Sequence, residues 1–89
     1  VKNRPYLKWF AKQNFPCYIC GSTKGVEGHH IKRDSNDPKN DEQLMPLCEE
    51  HHKGTSLSPH GTPVLFRNKY PMDVQQEIGE RYFHKWIES

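Results

Sequence analysis

Three cysteines in 89 residues set the first constraint on how this chain can fold. The number is odd, so a closed set of disulfides would leave one thiol over. Cys17 and Cys20 form a C-x-x-C, and Cys48 opens a C-x-x-H that ends at His51. Read alone, the C-x-x-C is either a redox pair or half of a metal site. A tetrahedral Cys₃His zinc site would use Cys17, Cys20, Cys48 and His51 together and would account for the odd count. The chain needs such a staple. A domain this short buries only about 60% of the surface its unfolded form exposes. Only 33% of its residues are hydrophobic, and its mean hydropathy is −1.02. Aromatic residues at 11%, seven prolines and dispersed charge nevertheless separate it from a disordered segment.

No apolar run approaches the roughly 20 residues of a membrane helix, and no signal-peptide pattern is present. The expectation is a soluble intracellular protein, where reduced thiols can hold zinc. The chain begins at Val1 rather than at a methionine, which fits one domain of a longer product. A net charge of +2 is too small to argue for a nucleic-acid partner. The basic residues are spread among acidic ones, as on an ordinary solvated surface.

The organisation reads as one domain over residues 1–89, without repeats or low-complexity segments. A first helix is expected over residues 6–13, or from about residue 5, with Asn3 as its cap and Leu7, Phe10 and Ala11 facing inward. Pro16 leads into the Cys17–Cys20 knuckle, which Gly21 closes. Residues 24–31 and 43–47 are expected to pair as antiparallel strands, with a loop at 34–38 between them. Cys48 then opens a helix whose first turn carries Glu49 and Glu50, where carboxylates favour the helix dipole. Gly54 ends it, and residues 55–59 read as an inserted loop. Thr62-Pro63 starts another helix, Thr62 capping it, that runs to about Lys69. Asp73 can cap a last helix over 74–87, with Val74, Ile78, Tyr82 and Trp86 as its core stripe, widened by Phe83 and Ile87.

Five of the six histidines, His29, His30, His51, His52 and His60, fall within about a third of the chain. One histidine is ordinarily a satisfied structural or surface residue. Two adjacent pairs, the second fused to the C-x-x-H, are hard to explain so. Neighbours at a strand end point to opposite sides, so His29 and His30 cannot readily share one ion. One can bind a metal while the other activates water. On the Cys48 helix, successive side chains lie about 100° apart. His51 can therefore turn to the zinc while His52 faces the hairpin.

Cys17-x-x-Cys20, Glu27-Gly28-His29-His30-Ile31, Asp41 and Pro46-Leu47-Cys48-x-x-His51-His52 together resemble an HNH, or ββα-metal, nuclease. More narrowly, His52-Lys53-Gly54, Pro59-His60-Gly61, Phe66 and Lys69-Tyr70 are similar to phage recombination-enhancement nucleases that depend on RecA. The resemblance spans residues 17–71 and implies an α+β fold: a β-hairpin and helix that grip one divalent ion, stapled by the zinc site. It implies that His29 and His52 bind Mg²⁺ or Mn²⁺ and that His30 is the general base. Neutral imidazole suits that task because it accepts a proton near pH 7. The activated water would attack phosphorus, leaving 5′-phosphate and 3′-hydroxyl ends. DNA is the implied substrate, with Lys32, Arg33 and Lys53 as expected contacts. A RecA-like recombinase filament is the implied partner, a bacterial or phage-infected cytoplasm the implied location, and a monomer the expected state.

Two departures from the pattern bear on the site. The motif's middle Asn is expected five residues before the helix Cys, where Gln43 stands. An amide there could still orient His30, while Asp41 matches the narrower phage group and Asn40 is also near. Many relatives carry a further ligand one turn beyond His52, where this chain has Ser56. His60 lies beyond a loop, and Gly54 and Pro59 free the chain to fold back and bring it to the metal. The alternative is a surface histidine. For the chain as a whole, the rival reading is a non-catalytic zinc module that binds DNA or protein. Such a module leaves His29, His30 and His52 unexplained. The 27 residues between Cys20 and Cys48 also miss the roughly 12-residue spacing of a C₂H₂ finger. A small-molecule zinc hydrolase would want H-E-x-x-H, which is absent.

Overall fold

The computed structural model describes residues 1–34 and 36–89. Its elements follow the order α1 (Arg4–Gln13), β1 (Val26–His30), β2 (Leu44–Cys48), α2 (Glu49–Lys53), α3 (Pro63–Lys69) and α4 (Met72–Ile87). The protein is thus a small α+β structure built on a two-stranded antiparallel sheet, with α2 following β2 directly. Among the described residues, no helix is long and apolar enough to cross a membrane.

Asn3 starts α1, its side-chain oxygen accepting the Tyr6 N–H at 3.1 Å. Capping of this kind satisfies an amide that the first turn cannot pair internally. After α1 the knuckle closes on itself: Gly21 N–H donates to the Cys17 carbonyl and Cys17 N–H to the Ser22 carbonyl, both at 2.8 Å. Gly21 has φ +78°, a left-handed conformation in which a Cβ is penalised. In the hairpin, His29 lies opposite Met45 and His30 opposite Leu44. Pro46 lacks an N–H and is confined to strands with a free edge. That edge is covered here, because Tyr18 N–H donates to the Pro46 carbonyl at 2.8 Å. The knuckle therefore docks on β2, whose five residues are all buried.

Alternation along β2 feeds two cores. Leu44 joins Tyr6 and Phe10 of α1, with Tyr82, Phe83 and Trp86 of α4 packed around them. Met45 and Leu47 join Ile31, Phe66 and Ile78, and this second core also contains Cys17 and Cys48. Each fully buried side chain of this size contributes about 1.5–3 kcal/mol. α4 reaches both cores because Gly79 lets it approach the hairpin: a Cβ there would stand 2.9 Å from Ile31 Cδ1.

Several expectations are corrected. The first strand is shorter than expected, the second is shifted by one residue to end at Cys48, and α1 and α4 begin two residues earlier than 6 and 74. In α1 Tyr6 is wholly buried, whereas Ala11 is exposed. The apolar stripe of α4 is rotated: Val74 and Ile87 are exposed, while Gln75 and Gly79 are buried beside Ile78. Gln75 tolerates burial because its Nε2 donates to the Tyr70 carbonyl at 2.8 Å, a polar pairing that apolar periodicity cannot register. Asp73 lies in the first turn of α4, and Pro71 occupies the cap position. Thr62 precedes α3 but does not cap it, because its hydroxyl turns back to accept the Ser58 N–H at 2.9 Å. Of the loop expected over 34–38, Ser35 lies outside the described residues. Asp34 Oδ1 accepts the Asn36 N–H there at 2.8 Å.

Candidate metal centres

Two groups of metal-ligating side chains meet at α2. In the first, the sulfurs of Cys17, Cys20 and Cys48 all lie within 4.8 Å of one another, close enough to hold a metal ion. Cys20 and Cys48 Sγ are 3.7 Å apart, far beyond a disulfide bond. Tetrahedral zinc at about 2.3 Å from each sulfur requires an S···S edge of about 3.8 Å, so this spacing fits. Burial pushes the Cys17 thiol up, but the backbone N–H groups of Cys48, Cys20 and Ile19 and the Cys20 thiol outweigh it and hold the pKa at about 7. The Cys48 thiol is raised, first by burial and then by the neighbouring sulfurs, against a lowering contact from the His51 backbone N–H. Amides aimed at sulfur stabilise thiolates, the form that binds metal.

His51 is not among the three residues that converge there. Its Nδ1 lies 2.9 Å from the Leu57 carbonyl. A carbonyl only accepts, so Nδ1 carries the proton and Nε2 keeps its lone pair. A histidine oriented in this way through its far nitrogen is the usual arrangement around a metal.

The second group gathers His29 from β1, His52 from α2 and His60 from the following loop. One ring nitrogen of each lies within 4.8 Å of the others. His29 is 7% exposed, and its Nδ1 is buried without a hydrogen-bond partner. Burial, followed by repulsion from His52, His60 and His30, lowers its pKa to about 3, so it is neutral at pH 7. His60 is also lowered, first by burial and then by His52, Lys53 and Lys32. His52 Nδ1 sits 3.1 Å from Glu27 Oε1, which leaves Nε2 for a ligand. The Glu27 carboxyl is held below its usual range mainly by that contact. An orphaned buried nitrogen, a carboxylate-oriented imidazole and a neutral neighbour make a donor set suited to a divalent ion.

His60 reaches this position because the 55–61 segment is knotted. Ser58, fully buried, donates through Oγ to the Gly54 carbonyl at 2.8 Å and accepts the Gly61 N–H at 2.9 Å. The His60 N–H then donates to the His52 carbonyl at 3.3 Å. Ser58 is a positioning residue that sequence reasoning missed; Ser58 and Gly61 three residues apart around His60 was its only trace.

His30 is not one of the three converging imidazoles, although it lines the same cavity as His29. Its Nε2 lies 2.9 Å from Asp41 Oδ1. Asp41 is itself fixed by the Asn3 N–H at 2.9 Å, and that contact, ahead of His30, lowers its pKa. Asn40 Oδ1 accepts the Glu42 N–H at 3.0 Å, and Gln43 lines a different depression, beside Ile31 and Arg33. Gln43 meets the strand end through its backbone carbonyl, which accepts the Ile31 N–H at 3.0 Å.

A cavity of about 340 Å³ opens over His29, His30 and His60. Lys32 lines it, but Arg33 pairs with Asp37 at 3.7 Å and Lys53 lies 3.9 Å from Glu27. Arg67 also lines the cavity and donates to the Arg33 carbonyl. It lies 34 positions from Arg33, so no local pattern pointed to it. Comparisons with protein families, with curated proteins and with solved structures return no match.

Proposed function

We propose that this chain is a metal-dependent DNA endonuclease of the HNH, or ββα-metal, kind. One observation carries the reading: three imidazoles converge beside a separate His30–Asp41 pair, on a hairpin and the helix that follows it, with a thiol cluster at their junction. A structural module needs the thiols alone.

The chain's own residues supply most of the reaction. Asp41 as a carboxylate only accepts, so its contact assigns the proton to His30 Nε2 and leaves the Nδ1 lone pair free. That nitrogen takes a proton from water as the water attacks phosphorus and the 3′ oxygen leaves. Asp41 orients the ring and stabilises the imidazolium that forms. Lys32 and Arg67, on the wall of the same cavity, attract the phosphodiester. A divalent ion held by His29, His52 and His60 would neutralise charge on the phosphate and on the departing oxygen. Three imidazoles with no carboxylate among the ligands favour Mn²⁺ over Mg²⁺. Cys17, Cys20, Cys48 and His51 would hold a structural zinc.

The test is cleavage of plasmid and single-stranded DNA with Mn²⁺ or Mg²⁺, with and without a RecA-like filament. Metal-dependent cutting that leaves 5′-phosphate ends supports the proposal. Zinc-loaded, folded protein that cuts no DNA under any of these conditions sinks it in favour of a binding module.

A further inference from the structure

The cavity beside the imidazoles is larger than attack on a phosphate requires. At about 340 Å³ it matches pockets that bury a small organic molecule. Besides His30 and His60, its wall includes Pro59, Pro63 and Phe66. Phe66 is 1% exposed, so it backs the wall from behind, and the rings that face the cavity are the imidazoles of His30 and His60. Gln75 adds one polar group, from a side chain only 3% exposed. Its Nε2 donates to the Tyr70 carbonyl at 2.8 Å. Because a carbonyl only accepts, this contact orients the amide, leaving Gln75 Oε1 with no hydrogen-bond partner among the described residues.

We propose that this cavity is a nucleobase pocket that takes an unpaired base flanking the scissile phosphate, with Gln75 Oε1 accepting a hydrogen bond from the base's exocyclic amine. The inference rests on the nuclease reading and names its substrate: single-stranded or locally unpaired DNA. Imidazole and proline walls suit the faces of a base, and Lys32 and Arg67 suit the phosphates on either side. A base inside a duplex is stacked, and its amine is engaged by its partner, so it enters only by leaving the helix. Among pyrimidines, cytosine offers an amine to Oε1, whereas thymine presents a carbonyl oxygen that the amide oxygen repels.

Fluorescence anisotropy tests the pocket, with zinc- and Mn²⁺-loaded His30→Ala protein so that strands persist. The probes are short oligomers of deoxycytidine, of thymidine and of abasic sugar, and a duplex of equal length. Deoxycytidine oligomers are expected to bind about tenfold or more tightly than abasic ones, the scale of one stacked base. They should also bind several-fold more tightly than thymidine oligomers, the scale of one hydrogen bond, and more tightly than duplex. Adding Gln75→Met should retain zinc and a cooperative melt, at a lower temperature because the Tyr70 carbonyl loses its donor, while erasing the cytosine preference. Equal binding of abasic and deoxycytidine strands overturns the proposal, as does a preference that survives in folded Gln75→Met. If that variant fails to fold, the ranking of the three strands by the Gln75 protein decides alone. Cutting by the unsubstituted chain is scored separately. Cleavage without base discrimination removes the pocket and keeps the nuclease; discrimination without cleavage does the reverse.

Discussion

The thiol cluster and the imidazole cluster share α2 yet differ in nearly every physical respect. Cys17 and Cys48 belong to a packed core and Cys20 lies exposed at its edge, with backbone amides turned toward the Cys17 sulfur, and together they tie a knuckle near the start of the chain to the end of β2. The imidazoles come from a strand, a helix and a loop, and His29 and His60 open onto a cavity whose wall mixes prolines with Lys32 and Arg67. Closed, soft donors hold a fold together. Histidines at a cavity mouth leave room for a substrate. One short helix therefore carries Cys48 of the thiol cluster at its start and His52 of the imidazole cluster one turn later.

The comparison breaks first, and with the largest effect, at the thiols. Cys20→Ala should lose one zinc per chain and the cooperative melt, because structural zinc contributes on the order of 10 kcal/mol, comparable with a small domain's whole stability. Zinc analysis and calorimetry read both, and unchanged melting with zinc retained would make the cluster incidental. The imidazole side should instead show itself in acid. His29 folded stays neutral down to about pH 3, whereas the unfolded chain takes up a proton near the usual imidazole value of 6.5. The unfolded state then binds more protons, so stability is full above pH 6.5 and falls as pH drops toward 3. The loss between about pH 6.5 and pH 3 amounts to several kcal/mol. Denaturation of protein without Mn²⁺ across this range should be steeper for the parent than for His29→Gln, and coincident pH slopes would refute the buried neutral imidazole.

Two smaller effects sharpen the division between stability and chemistry. His30→Ala should keep zinc, fold and DNA affinity while cleavage falls by about 10² or more, the scale of a lost general base. Gel assays of cutting beside anisotropy read the two separately; undiminished cutting removes His30 from the reaction. Glu27→Gln, which weakens the orienting contact on His52, should lower Mn²⁺ affinity about tenfold with little change in melting. Calorimetric titration checks it, and unaltered affinity would leave Glu27 as an ordinary surface acid.

What could be read without coordinates was whatever is local in the chain. The odd cysteine count, C-x-x-C and C-x-x-H followed from spacing. The hairpin, the short helix after Cys48 and the stop at Gly54 followed from strand alternation and turn residues, although the strand ends did not. That His29 and His30 take different partners followed from the pleat. Tertiary structure alone decided matters that depend on residues far apart in sequence. Asp41, and neither Asn40 nor Gln43, meets His30, because Asn3 on an unrelated segment holds that carboxylate in place. His60 reaches His29 and His52 because Ser58 and Thr62 tie a loop whose composition reads as unstructured. His51 is not in the group of three converging thiols, and its ring is oriented by the Leu57 carbonyl. The rotation of α4, which buries Gln75 and exposes Val74, follows from the Tyr70 carbonyl and the close approach at Gly79. Spacing along a chain encodes turns, strands and short helices, but a hydrogen bond across 38 residues is decided only when packing brings its partners together.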